Sequence, residues 1–204
     1  KNKVIGNSYI MKILMVMPNF LDESRFLADE GTYYMSPGLL HISSYAKSKG
    51  FNVHCLNLNH YGPKKLTEVL MAGDFDVLCT GGLHTDLHRV IRIIKETRQY
   101  SSSITTILGG SMPTSHPSLV FDMVQPDFMV LREGEETCAE LLTTLENNGD
   151  PANVLGIAYK KDGEFFETPE RSLSEDLDSY PLPDYEGFEY AYYDGNKWTE
   201  QNDR

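Results

Sequence analysis

Apolar residues in this chain come in short unbroken runs, and each of the first five is followed by a stretch with helical spacing. Lys12-Ile13-Leu14-Met15-Val16-Met17-Pro18 is closed by proline and reads as a first strand. Ser36-Pro37 then predicts a helix, with serine as N-cap and proline in the first turn. Leu39, Ile42 and Ala46 share its inner face, and Gly50 ends it. Phe51 to Leu58 alternates as a second strand, and Lys64 to Met71 reads as a short helix. Phe75 to Thr80 is a third run, followed by a helix with Leu87, Val90, Ile91 and Ile94 on one stripe. Ile104 to Leu108 is a fourth run, with a short helix around Ser115 to Met123. Asp127 to Leu131 is a fifth, leading into a helix with Cys138, Leu141, Leu142 and Leu145 inward. β-branched runs of this kind are what strands covered on both faces look like, and the alternation predicts an α/β, doubly wound parallel sheet.

The pattern breaks near residue 150. Asn153 to Tyr159 and Glu164 to Thr168 read as a β-hairpin turned by Asp162-Gly163. Leu173 to Phe188 holds repeated prolines and acids without a period, the signature of a linker. The expected division is an extension over 1–10, a sheet domain over 11–150, a hairpin appendage over 151–172 and a linker over 173–204.

Charge sharpens that division. The 204 residues carry a net charge of -12, of which residues 162–204 contribute -10 and residues 1–161 only -2. A nearly neutral domain with an acidic tail does not have the electrostatics of a nucleic-acid binder. No run reaches the ~18 to 20 apolar residues of a membrane span, and residues 1–10 lack the apolar core of a secretion signal. Cys55, Cys79 and Cys138 are odd in number and far apart, as expected of reduced thiols in a cytoplasmic protein.

Candidate chemistry gathers where the strands end. Gly81-Gly82 closes the third run, Gly109-Gly110 the fourth, and Gly134 follows the fifth. In open parallel sheets ligands bind at the carboxyl edge, and strand ends without side chains leave room for a large flat ligand against the backbone. Phosphate-binding signatures are missing: there is no G-x-x-x-x-G-K-[ST], and no G-x-G-x-x-G after the first strand. Glu135 and Glu136 at the start of the last helix would repel a phosphate, so the site suits a neutral ligand rich in amides and hydroxyls. His84 and His88 are one helical turn apart but lack a third ligand of suitable spacing, so they read as solvated or ligand-edge histidines, with Thr85 or Asp86 as a helix cap. His116, between Ser115 and Pro117, is a further candidate contact to a cofactor.

The order of these pieces resembles the cobalamin-binding domain found at the front of radical S-adenosylmethionine enzymes. The resemblance is carried by Met11 to Pro18, "YYMSPGLLHISSYAKSKG" over Tyr34 to Gly50, "CTGGLHT", "LGGSMPT", "PDFMVLREGEET" and the exit segment "LDSYPLPDY" over Leu177 to Tyr185. It implies a flavodoxin-like, Rossmann-like sheet of five strands in the order 2-1-3-4-5, with cobalamin across its carboxyl edge. Gly81, Gly82, Gly109 and Gly110 would let the corrin or its tail approach the backbone; Leu83 and Gly134 belong to the same strand-end motifs. Thr85, Thr114, Glu133 and Glu135 would offer hydrogen-bond partners. The D-x-H-x-x-G motif that supplies a cobalt ligand in the wider family is replaced by Pro18-Asn19-Phe20-Leu21-Asp22-Glu23-Ser24, without histidine. Gly81 stands where the family's S-x-L serine would be, with Leu83 as the leucine. The C-x-x-x-C-x-x-C motif of the radical domain does not occur in these residues, so the implied parent, a methyltransferase with a 4Fe–4S cluster and S-adenosylmethionine, would place its radical domain downstream. The chain is then a binding module, not expected to be catalytic alone. A cofactor-free docking or regulatory module on the same fold is the alternative.

Overall fold

The computed structural model describes residues 10–19, 36–61, 64–189, 193–194 and 197–198. Strands β1 (Lys12–Met17), β2 (Asn52–Asn57), β3 (Val77–Gly81), β4 (Thr105–Gly109) and β5 (Phe128–Val130) form a parallel sheet in the order β2-β1-β3-β4-β5. β1 and β3 are buried on both faces, which is why their sequences read as continuous apolar runs. Successive residues point to opposite sides. Ile13, Met15 and Met17 join one core with Leu39, Leu40, Cys138, Leu141 and Leu142. Leu14 and Val16 join another with Leu66, Leu70, Val90, Ile94, Val120 and Phe121.

The first core is roofed by α1 (Pro37–Ser48) and α7 (Glu135–Glu146). The second is covered by α3 (Lys65–Ala72), α4 (Leu87–Tyr100) and α6 (Pro117–Val124). Two short helices lie outside the expected pattern: α2 (Leu58–Tyr61) directly after β2, and α5 (Ser111–Ser115) directly after Gly110. Ser36 stands at the N-cap of α1, but its side chain makes no capping bond; Pro37 in the first turn does the starting. The segment after β1, which carries Pro18 to Ser24 in place of the histidine motif, lies outside the described residues from 20 to 35.

The hairpin forms as the turn sequence requires. Asp162 and Gly163 both have positive φ, at 53° and 86°, the condition for a two-residue turn of the primed type. Its strands β6 (Ile157–Lys161) and β7 (Glu164–Glu167) are more than an appendage, since β6 pairs antiparallel with β5 and extends the sheet to seven strands. Ile157 and Ala158 are fully buried in the two cores, so the hairpin contributes to both faces.

The acidic segment after the hairpin is a docked strap. Phe188 is 0% exposed and belongs to the core under α1, while Asn57 Nδ2 donates to its carbonyl at 3.2 Å. The Asp184 carboxylate accepts from Ser43 Oγ at 2.5 Å and from Lys47 Nζ at 2.6 Å, and Asp184 N donates to Leu40 O at 3.1 Å. Burial would raise the Asp184 pKa, but the hydrogen bonds from Lys47, Ser43 and Gly187 N–H outweigh it and hold the carboxyl below its ordinary value. Further up the strap, Arg171 Nε donates to Thr137 Oγ1 at 2.8 Å and its guanidinium pairs with Glu140 and Glu136 on α7.

Candidate functional site

β3 and β4 run in register with Gly81 opposite Gly109, so both glycine pairs arrive together at the carboxyl edge. A Cβ on Gly81 would lie 2.8 Å from Gly109 O, and one on Gly110 would lie 2.8 Å from Gly82 O. Gly110 also has φ +98°, closed to ordinary side chains. These glycines therefore serve first to bring two strand ends and their loops into backbone contact. Gly109 is different. A Cβ there would meet nothing nearer than Val130 O at 3.9 Å. Its bare face opens into space.

That space is a cavity of about 160 Å³ between the sheet edge and the α1/α7 layer. Its floor is Cys79, Ile107 and Val130, one residue from each of three adjacent strands, and Leu39, Ile42 and Cys138 wall it from the helices. Of the residues singled out in the sequence, Gly81, Gly82, Gly109, Gly110, Glu133, Gly134 and Glu135 all line this cavity. Gly134 lets α7 start close to α1, since a Cβ there would lie 2.9 Å from Ile42 Cδ1.

Leu83, Thr85 and Thr114 are not on the cavity wall. Leu83 is 55% exposed, and its N–H donates to Asp86 Oδ2 at 2.8 Å. Thr85 is exposed, and its carbonyl accepts from Arg89. Thr114 spends its hydroxyl on the protein, donating to Gly110 O at 3.0 Å and accepting from Arg132 N at 2.8 Å, which ties the β4 loop to the β5 loop. Arg132, at the rim, holds φ 61° and pairs with Glu170 at 2.6 Å. Left-handed backbone at a non-glycine costs on the order of 1 kcal/mol and clusters at sites where the fold constrains the chain.

The floor and walls were not singled out from the sequence, although a signal existed. Cys79 and Ile107 precede Gly81 and Gly109 by two residues, and period two puts them on the same face of the sheet. The Cys79 thiol is pushed well above its ordinary pKa by its hydrogen bond with Cys138 and by burial, so this wall is uncharged. Charge appears only at the mouth, where Glu133 and Glu135 join Arg132. Among the described residues no group of three or more histidine, cysteine or carboxylate side chains is placed to hold a metal. His84 pairs instead with His116, ring to ring.

The B12 binding domain profile matches residues 26–142, more than half of the sequence. The chain belongs to the B12-binding domain family. Two curated proteins are similar to this B12-binding domain. The anaerobic magnesium-protoporphyrin IX monomethyl ester cyclase of Synechocystis is 31% identical over 78% of this chain and 34% of its own length. An uncharacterized methyltransferase of Pyrococcus horikoshii is 25% identical over 87% of this chain and 39% of its own length. The chain thus spans little more than a third of these relatives.

Among solved structures, the cobalamin-dependent S-adenosylmethionine radical enzyme OxsB with aqua-cobalamin bound superposes with a TM-score of 0.70. Sequence identity there is 16%, over 86% of this chain and 24% of that one. The radical S-adenosylmethionine methyltransferase TsrM of Kitasatospora setae, with cobalamin and an iron–sulfur cluster bound, gives 0.66 at 18% identity, over 85% and 31%. The expected strand order and the family resemblance both hold. No helix among the described residues is long and apolar enough to cross a membrane.

The residues present fit such a cofactor. A neutral wall, an uncovered glycine face at Gly109 and exposed strand-end backbone suit a ligand made of flat rings and amides better than a polyphosphate. Pockets that take a whole cofactor-sized ligand run to about 300–1,000 Å³, and at about 160 Å³ this crevice is smaller than that.

Proposed function

We propose that this chain is the cobalamin-binding module of a cobalamin-dependent radical S-adenosylmethionine enzyme, a cytoplasmic methyltransferase. In this reading the crevice takes the nucleotide tail of the corrinoid, and the larger macrocycle lies over the glycine edge. The observation that carries it is the open face of Gly109 above the apolar floor of Cys79, Ile107 and Val130. The bound corrinoid supplies methyl-carrying chemistry. Ile107, Val130 and Leu39 exclude water from the tail, while backbone groups at Gly82 and Gly110 and the carboxylates of Glu133 and Glu135 meet its amides and hydroxyls. The module's partner is a downstream radical domain with a 4Fe–4S cluster and S-adenosylmethionine.

Titration of the chain with hydroxocobalamin, followed by visible absorption and calorimetry, tests this. Saturable binding is expected, weakened about tenfold or more by Gly109→Val, a loss of at least ~1.4 kcal/mol. A Cβ at Gly109 meets no protein atom closer than 3.9 Å, so the first added carbon is accommodated, and circular dichroism checks that the variant folds. Unchanged affinity in a folded variant refutes the crevice as the site. Absence of any corrinoid binding by the parent chain favours the cofactor-free docking module.

A further inference from the structure

The polar groups of the crevice are sorted by depth. At its mouth stand Arg132, Glu133 and Glu135, with Ser36 at the start of α1. Arg132 and Glu133 are exposed, while Ser36 and Glu135 are half-buried. Below them lie Leu39, Ile42, Cys79, Ile107, Val130 and Cys138, all buried except Ile42. The hydrogen-bonding side chains at that depth are already spent. Thr80, 2% exposed, donates its hydroxyl to Val16 O at 2.9 Å, and the thiols of Cys79 and Cys138 hydrogen-bond to each other. The backbone of the floor is committed to the sheet as well. Cys79 pairs with Met15 and Ile107, Ile107 also pairs with Phe128, and Val130 pairs with Ile157. Among the described residues, the deep part of the crevice thus offers apolar contact and no uncommitted hydrogen-bonding side chain.

Size and polarity together select what enters. An apolar cavity of ~150 Å³ takes a benzene ring and stays dry when empty. At about 160 Å³, this crevice matches the ring end of an aromatic base. Corrinoids differ in the base that ends their nucleotide tail. A methylated benzimidazole presents a plain, methyl-bearing carbocycle at the end away from the ribose. A purine such as adenine presents there a ring with nitrogen acceptors and an exocyclic amine. Pushed against Cys79, Ile107 and Val130, those nitrogens leave water and find no partner, and an unmade hydrogen bond on a buried group is penalised in full. Resting on the proposed placement of the tail in the crevice, we infer that the Cys79–Ile107–Val130 floor makes this module selective for corrinoids with an apolar, benzimidazole-type base and against those with a purine base.

The test is calorimetric titration of the full chain with three corrinoids: hydroxocobalamin, which carries dimethylbenzimidazole, its adenine-bearing analogue, and cobinamide, which has no nucleotide. A base that enters the crevice has left cobalt, so each affinity is corrected for the base-off fraction of the free corrinoid, obtained by acid titration. Hydroxocobalamin is then expected to bind about tenfold or more tighter than the adenine analogue, and cobinamide more weakly than hydroxocobalamin. Val130→Thr, which keeps a branched side chain and adds a hydroxyl to the floor, should narrow the gap between the two bases about threefold or more. The free corrinoids are the same in both titrations, so their own base–cobalt equilibria cancel between parent and variant, and circular dichroism checks that the variant folds. Equal corrected affinities for the two bases, with cobinamide weaker, overturn the selectivity and leave the tail in the crevice. An unchanged gap in folded Val130→Thr overturns the assignment of selectivity to the floor. Cobinamide binding as tightly as hydroxocobalamin overturns the placement of the tail and this inference with it, and so does failure of the parent chain to bind any of the three.

Discussion

Phe188→Ala separates a docked strap from a linker. In a solvated linker, a substitution changes stability by no more than about 0.5 kcal/mol, or roughly 1–2 °C in Tm for a chain of this size. The structure puts Phe188 at 0% exposure within the α1-side core, with its carbonyl taken by Asn57. Truncating a buried phenylalanine costs about 3–5 kcal/mol, from lost transfer energy and the cavity left behind. At about 2–4 °C per kcal/mol, Tm should fall by roughly 6–20 °C. Thermal unfolding by circular dichroism reads this directly, and limited proteolysis should show faster cleavage between Leu173 and Phe188. A Tm within about 2 °C of the parent, with unchanged cleavage, would refute the claim that the strap is part of the folded domain.

Gly110→Ala should destabilise by roughly 1–3 kcal/mol in chemical unfolding, because it combines a positive φ with a Cβ 2.8 Å from Gly82 O; a neutral result would mean the loops do not approach as described. The Asp184 carboxyl is depressed below its ordinary 3.8, so its contribution is fully present above that value and is lost as pH falls through the lower folded value. Asp184→Asn should accordingly be less stable near neutrality yet show a flatter acid limb below about pH 4, measured as the unfolding midpoint against pH. An acid limb identical to the parent's would show that the Ser43 and Lys47 bonds do not form.

Much of the architecture was legible because parallel strands buried on both faces read as apolar runs, as in Leu14 to Met17 and Val77 to Cys79. The cavity rim was legible because glycine where β3, β4 and β5 end points to a close approach of the backbone to something. What the sequence did not separate is approach to a ligand, at Gly109, from approach to a neighbouring strand, at Gly81 and Gly110. That distinction depends on register, which a single sequence does not contain. Thr114 suits a ligand contact by composition, yet its hydroxyl is consumed by Gly110 and Arg132, eighteen residues away in the second case. Helix α5 was hidden by Pro113 in the middle of five residues. The strap was hidden because its anchors, Asp184 and Phe188, bind partners on α1 and β2 more than a hundred positions earlier.

Asn57, which holds Phe188, is the last residue of β2 and therefore lies at the same carboxyl edge as the crevice. The strap leaves the hairpin side near Arg171, crosses the α1/α7 face and is pinned there. Polypeptide continuing beyond Phe188 therefore starts at the β2 end of the sheet's carboxyl edge. A short tether of that kind sets the local concentration of whatever it carries in the millimolar range, independently of how much protein the cell contains. In the proposed arrangement, fastening the chain at Phe188 would shorten the search of a downstream domain for the glycine edge, and loosening the pin would lengthen that leash without touching the crevice.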